Sequence, residues 1–148
     1  MDIEVSFPGG KRVNAQVGKF AIETDQPPEL GGDGSAPAPY DLFLASIGTC
    51  AGIYVLGFCQ ARGIPTDGLA LVQRNDVDPA TKLLRAVRLE LRLPPGFPER
   101  YRMAILKAAE GCKVKKTIAA APTFEVLVSD ADAPFSAEHR EDVACASG

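Results

Sequence analysis

The chain has 148 residues, a net charge of −3, 46% hydrophobic and 24% charged residues, which suits one globular domain with a real core. Neither that charge nor the scattered basic residues give a nucleic-acid footprint. The start, Met1-Asp2-Ile3-Glu4, is acidic where a secretory signal is positive and then apolar, so the expected location is the cytoplasm, where the four cysteines are expected to be reduced.

Alternation of apolar and polar residues predicts strands at Ile3 to Phe7 and Arg12 to Val17, joined by the Pro8-Gly9-Gly10 turn. Lys19 to Thr24, after Gly18, predicts a third strand, and an antiparallel meander is the simplest topology. Asp25 to Pro39, rich in Pro, Gly and Asp, reads as a long loop of the kind that is functional when it is ordered.

Leu42 to Ala61 is twenty residues without a charge. Pro39 and Asp41 suit the first turn of a helix and Arg62-Gly63 its end. Apolar residues run all the way round, so the helix is expected to be buried on every side or to lie in a membrane. Twenty residues just span a bilayer, but Ser46, Thr49, Gln60 and three glycines dilute the run, and its flanks lack basic clusters. The expectation is therefore no membrane, with a second subunit covering what the chain itself cannot. Gly48-x-x-x-Gly52 reads either as a close approach of another backbone or as two glycines tolerated in a tight core.

Leu69 to Val77 and Lys82 to Leu93 predict a hairpin around Asp78-Pro79-Ala80-Thr81. The second strand has one wet and one apolar face. Pro98 and Glu99 open an amphipathic helix ending near Gly111, with Tyr101, Ile105, Ala108 and Ala109 on one stripe that Cys112 would continue. A short helix over Lys113 to Ala121 and a last strand over Phe124 to Val128 follow. The fold class is α+β, with one domain over residues 1–130 and a peripheral tail over 131–148.

The cysteines differ. Cys50, after Ser46 and Thr49, reads by itself as a small buried hydrophobe. Cys59, nine residues on, points to the opposite helix face and reads as structural. Cys145 lies in the tail. Cys112 follows a helix-ending glycine and precedes Lys113, Lys115 and Lys116, a setting that lowers a thiol pKa, although such lysines are as readily a solvated face. There is no Cys-x-x-Cys, and the single histidine, His139, is in the polar tail, so neither a metal site nor a cysteine hydrolase is expected. No phosphate loop or dinucleotide fingerprint is present, and no cofactor is expected. Thiol redox chemistry remains, since it needs only a thiolate, a cation and a second thiol.

Gly31-Gly32-x-Gly34, then Pro37-x-Pro39-x-Asp41-Leu42-Phe43-Leu44-Ala45-Ser46-Ile47-Gly48-Thr49-Cys50, the Glu99 to Gly111 helix, Cys112-x-Val114 and the Gly9-Gly10-Lys11-Arg12 turn resemble the OsmC/Ohr family over roughly residues 1–130. The resemblance implies an OsmC-like fold. In it, antiparallel sheets wrap long central helices in an intertwined homodimer with active sites at the subunit interface. It implies a peroxidase reducing organic hydroperoxides or hydrogen peroxide, with Cys50 as attacking thiol, Cys112 as resolving thiol and an external dithiol as reductant. The family's arginine would be Arg12 (or Lys11). Its glutamate position falls on Tyr40, with Asp41 one step on, and the proline that often follows the second cysteine is Lys113 here. Tyr40, Phe43 and Tyr54 are the expected substrate-binding residues. The rival readings are a non-enzymatic dimeric protein binding a small apolar ligand, and a thiol redox sensor without turnover.

Overall fold

In a computed structural model, residues 1–128 and 130 are described, and they form two antiparallel sheets and a helical layer built on one long helix. β1 (Ile3–Gly9), β2 (Arg12–Val17) and β3 (Phe20–Ile22) make the first sheet in that order. Gly9 and Gly10 both take positive φ (116° and 63°), which lets the chain reverse in so few residues. The register runs from Ile3 opposite Val17 to Ser6 opposite Asn14 and then slips before Gly9 meets Arg12. β4 (Ala70–Val77) and β5 (Leu84–Arg92) make the second sheet, Ala70 opposite Arg92. The Asp78 carboxylate shapes its turn by accepting the N–H groups of Ala80 and Thr81, each at 2.9 Å. Val87, Leu89 and Leu91 of β5 are half-buried while Arg88, Glu90 and Arg92 between them are exposed, as the alternation predicts.

The loop after β3 is more ordered than its composition suggests. Asp25 is 1% exposed, and its carboxylate accepts four hydrogen bonds: from N–H of Gln26 (2.8 Å), Asp33 (3.1 Å) and Ser35 (3.0 Å), and from the Ser35 hydroxyl (2.9 Å). Those donors, Ser35 first, hold its pKa at about 2 against their counterweight, burial. Gly32 is required there because a Cβ would lie 1.9 Å from the Gln26 carbonyl oxygen. Asp25 N–H in turn reaches Pro37 O at 3.3 Å, so the loop is closed just before the long helix begins.

That helix is α1 (Pro39–Gln60). Pro39 suits its first position, and the Asp41 carboxylate accepts the Ala38 N–H at 3.2 Å, satisfying the helix entry. α2 (Arg102–Glu110) follows a single 3-10 turn at Glu99–Tyr101, and α3 (Lys113–Ala119) begins directly after Cys112. One face of α1 (Ile47, Ala51, Val55, Phe58 and Cys59, at i, i+4, i+8, i+11 and i+12) is buried together with Phe97, Ile105, Ala109 and Cys112. Cys112 extends the buried α2 stripe although the helix itself stops at Glu110. At the far end the Tyr101 ring meets Phe58 edge-on at 5.9 Å, and the Arg62 guanidinium lies 3.8 Å over Phe58.

The described residues leave part of α1 open, as expected of a helix that this chain cannot cover alone: Ile53 is 60% exposed, and a Cβ at Gly52 or Gly57 would meet nothing within 4 Å. Among the described residues α2, α3 and β4 make its main contacts. The helix is long and apolar enough to cross a bilayer, but here it is the central element of the fold. One expectation needs correction: Phe124 to Val128 is not a strand. It carries no regular structure, pairs with none of the described strands, and leaves Phe124, Val126 and Val128 88%, 93% and 100% exposed. Alternation alone makes no strand without an edge to pair with. Gly48 is settled within the chain, since a Cβ there would lie 2.7 Å from Gln73 Oε1, and Gln73 Nε2 donates to Leu44 O at 2.9 Å. The tail with His139 and Cys145 lies outside the described residues.

Candidate functional site

Cys50 sits halfway along α1, half-buried, where the helix passes the start of α3. The thiol is turned to the first main-chain N–H groups of α3. These are donors that a helix leaves free for another acceptor. The N–H of Val114 has the largest effect on the Cys50 pKa and lowers it. The Cys112 thiol, the Lys113 N–H and the Lys113 charge act in the same direction, against partial burial.

Cys112 is fully buried beside it, and its S–H has two acceptors within reach: the Ile47 carbonyl at 3.8 Å and Cys50 itself. The two thiols that the sequence singled out are thus neighbours, one reachable from solvent and one not. Ser46 and Thr49 add nothing to the site. Their hydroxyls donate back to the helix carbonyls of Phe43 (2.6 Å) and Ala45 (2.9 Å).

The remaining expected residues are dispersed. Asp41 precedes Cys50 by nine residues, which at about 100° each is half a turn of the helical wheel, and about 13 Å along the axis. Its carboxylate caps the helix, and it lines a shallow depression with Leu44, Gly48 and Gln73 on the β4 side. Arg12 is exposed on β2, its Nε donating to Gly9 O at 3.4 Å, and lines a separate hollow with Asn14, Glu23 and Ser35. Lys11 is also on that hairpin, with its Cε 3.6 Å from where a Cβ on Gly31 would be.

The aromatics fare better. Phe43 and Tyr54, seven before and four after Cys50, fall on its side of the helix. Tyr40 stacks on Phe43 with ring centroids 5.6 Å apart. The Tyr54 ring packs on Gly111, where a Cβ would come within 3.2 Å of it. All three stay between 39% and 44% exposed.

An apolar groove of about 480 Å³ is lined by Ile47, Leu71, Leu89, Leu91, Leu106 and Ile118 among others, and Lys115 and Arg85 also line it. Neither Cys50 nor Cys112 lines it. No group of three or more His, Cys, Asp or Glu able to hold a metal occurs among the described residues.

One feature of the site carried no local signal in the sequence: the Val114 and Lys113 N–H groups are main chain, invisible to any motif.

A family model described as OsmC-like protein matches residues 32–127, more than half of the chain. Among solved structures, one described as an osmotic stress induced and detoxification response protein of Psychrobacter arcticus is 20% identical. It aligns over 78% of this chain and 85% of its own with a TM-score of 0.66. An OsmC-like protein of Mycoplasma pneumoniae is 17% identical over 81% and 87% of the two chains, TM-score 0.63. An organic hydroperoxide resistance protein of Legionella pneumophila is 19% identical over 79% and 87%, TM-score 0.51. No curated protein sequence matches the chain.

Proposed function

Since the chain belongs to the OsmC-like protein family, we propose that it is a thiol peroxidase that reduces organic hydroperoxides or hydrogen peroxide through Cys50 and Cys112. The observation that carries this reading is the half-buried Cys50 thiol, its pKa lowered first by the Val114 N–H, with a second, sheltered thiol against it. The name of the Legionella pneumophila relative, an organic hydroperoxide resistance protein, adds support for the class of substrate.

The Cys50 thiolate attacks one peroxide oxygen, the O–O bond breaks and Cys50 becomes a sulfenic acid. Cys112 then condenses with it to a disulfide and water leaves. An external dithiol restores both thiols by exchange. Tyr40, Phe43 and Tyr54 form an apolar wall for the organic part of the peroxide.

The active form on this reading is a homodimer with the site at the subunit interface. The open face of α1, with Ile53 exposed and no atom within 4 Å of a Cβ at Gly52 or Gly57, supports a partner there. Arg12, distant from Cys50 in its own chain's contacts, would then serve the partner's thiol. Asp41 keeps a structural part as helix cap. The compartment on this reading is the cytoplasm.

The deciding measurement is peroxide consumption with dithiothreitol by wild type, Cys50→Ser and Cys112→Ser. Cys50→Ser is expected to abolish it. Cys112→Ser is expected to allow one oxidation per subunit and little turnover. Absent turnover in wild type, or turnover indifferent to Cys50→Ser, overturns the proposal. One observation favours a second reading, a protein that binds a small apolar ligand without turnover: the 480 Å³ groove is apolar and apart from the thiols. A redox sensor, the third, would form the disulfide without rapid re-reduction.

A further inference from the structure

A thiolate that breaks an O–O bond releases an alkoxide, and an alkoxide is a poor leaving group until it is protonated. Among the described residues few groups near Cys50 could give that proton, and Lys113, whose charge reaches Cys50, is the alternative that the test below separates from the one argued here. Asp41 is on the opposite face of the helix from Cys50, and its carboxylate accepts the Ala38 N–H. Ser46 and Thr49 donate to helix carbonyls. The Cys112 S–H is fully buried, and its later role needs it as a thiol.

Tyr54 is different. It follows Cys50 by four residues, the spacing at which side chains on a helix become neighbours, with Cβ atoms about 5–6 Å apart. Helical side chains tilt toward the N-terminus, so its ring leans back over the turn that carries Cys50. The ring also packs on Gly111, the residue before Cys112. It is 40% exposed, so its hydroxyl can exchange its proton with water.

We propose that Tyr54 is the proton donor to the leaving oxygen when Cys50 is oxidised, an inference that rests on the peroxidase reading above. The Cys50 sulfur pair forms the S–O bond to the terminal peroxide oxygen. The O–O pair leaves with the other oxygen, which takes the Tyr54 proton. Sulfenic acid and alcohol are the products, and the phenolate recovers its proton from water.

The test is single-turnover oxidation of reduced protein followed by quenched flow and mass spectrometry at Cys50, for wild type and Tyr54→Phe. Two oxidants are compared: tert-butyl hydroperoxide, whose leaving alkoxide needs a proton, and peracetic acid, whose leaving carboxylate does not. Iodoacetamide alkylation of Cys50 serves as the control for site integrity. Tyr54→Phe is expected to slow the hydroperoxide on the order of 10²-fold, the peracid by less than about threefold, and alkylation not at all.

Equal slowing of both oxidants, or slowing of neither, overturns the proposal; the second result would transfer the proton to Lys113. Loss of alkylation together with both oxidations would make Tyr54 a packing residue on Gly111 and overturn it as well. A wild type that alkylates normally but is oxidised by neither peroxide defeats the peroxidase reading itself.

Discussion

The turn of α1 that carries Cys50 and the turn that carries Cys59 begin from the same residue type on the same backbone. Nine residues place them on opposite faces. Cys59 is fully buried among Val55, Phe58, Phe97 and Ile105, and burial pushes its pKa up, with Arg62 a lesser opposing influence. Cys50 is half-buried, meets the N–H groups of Val114 and Lys113, and its pKa goes down. Burial and donors, not identity or helix, decide which thiol can react.

Alkylation sets the two apart most sharply. In folded protein Cys50 should react with iodoacetamide at a rate that follows its thiolate. The midpoint of that pH profile should therefore fall below the ~8.5 of an ordinary cysteine. Cys59 should react at least about 10³-fold more slowly, at the pace of structural opening. Peptide mapping over a pH series reads both. Comparable rates at the two sites, or a Cys50 midpoint above that of free cysteine, would erase the contrast.

A smaller effect is expected from breaking the Cys59 side. Cys59→Ser puts a hydroxyl into an apolar core and should cost about 1–3 kcal/mol of stability in urea unfolding. The Cys50 alkylation rate should stay unchanged. A loss of Cys50 reactivity at full stability would show that the two faces are coupled.

Much of this was legible in the residues, and the reasons are local. The hairpins and α1 follow from period-two and all-round apolar patterns that one segment carries by itself. Cys59 yielded to a helical-wheel argument. The same nine-residue arithmetic also puts Asp41 opposite Cys50, so the sequence held a reason against its carboxylate serving the thiol. The illegible part is long-range. That Val114 N–H would meet Cys50, sixty-four positions away, depends on how α1 and α3 cross. The burial of Asp25 depends on a loop folding back on its own carboxylate. Phe124 to Val128 alternates like a strand, but a ladder needs a second strand that the segment cannot specify alone.

The smallest expected effect separates main chain from side chain at the reactive turn. The Val114 contribution comes first among the influences on Cys50 and the Lys113 charge last. The Val114 donor is a peptide N–H, so Val114→Ala removes no donor and should leave the Cys50 alkylation rate at neutral pH unaltered. Lys113→Met removes only the charge. The thiol pKa then moves back up, the thiolate fraction at neutral pH falls, and alkylation should slow by roughly twofold, a difference that added salt narrows. Alkylation kinetics of both variants at low and high salt give the answer. A tenfold loss in Lys113→Met would make the ammonium, and not the turn of backbone beneath it, the group that activates Cys50.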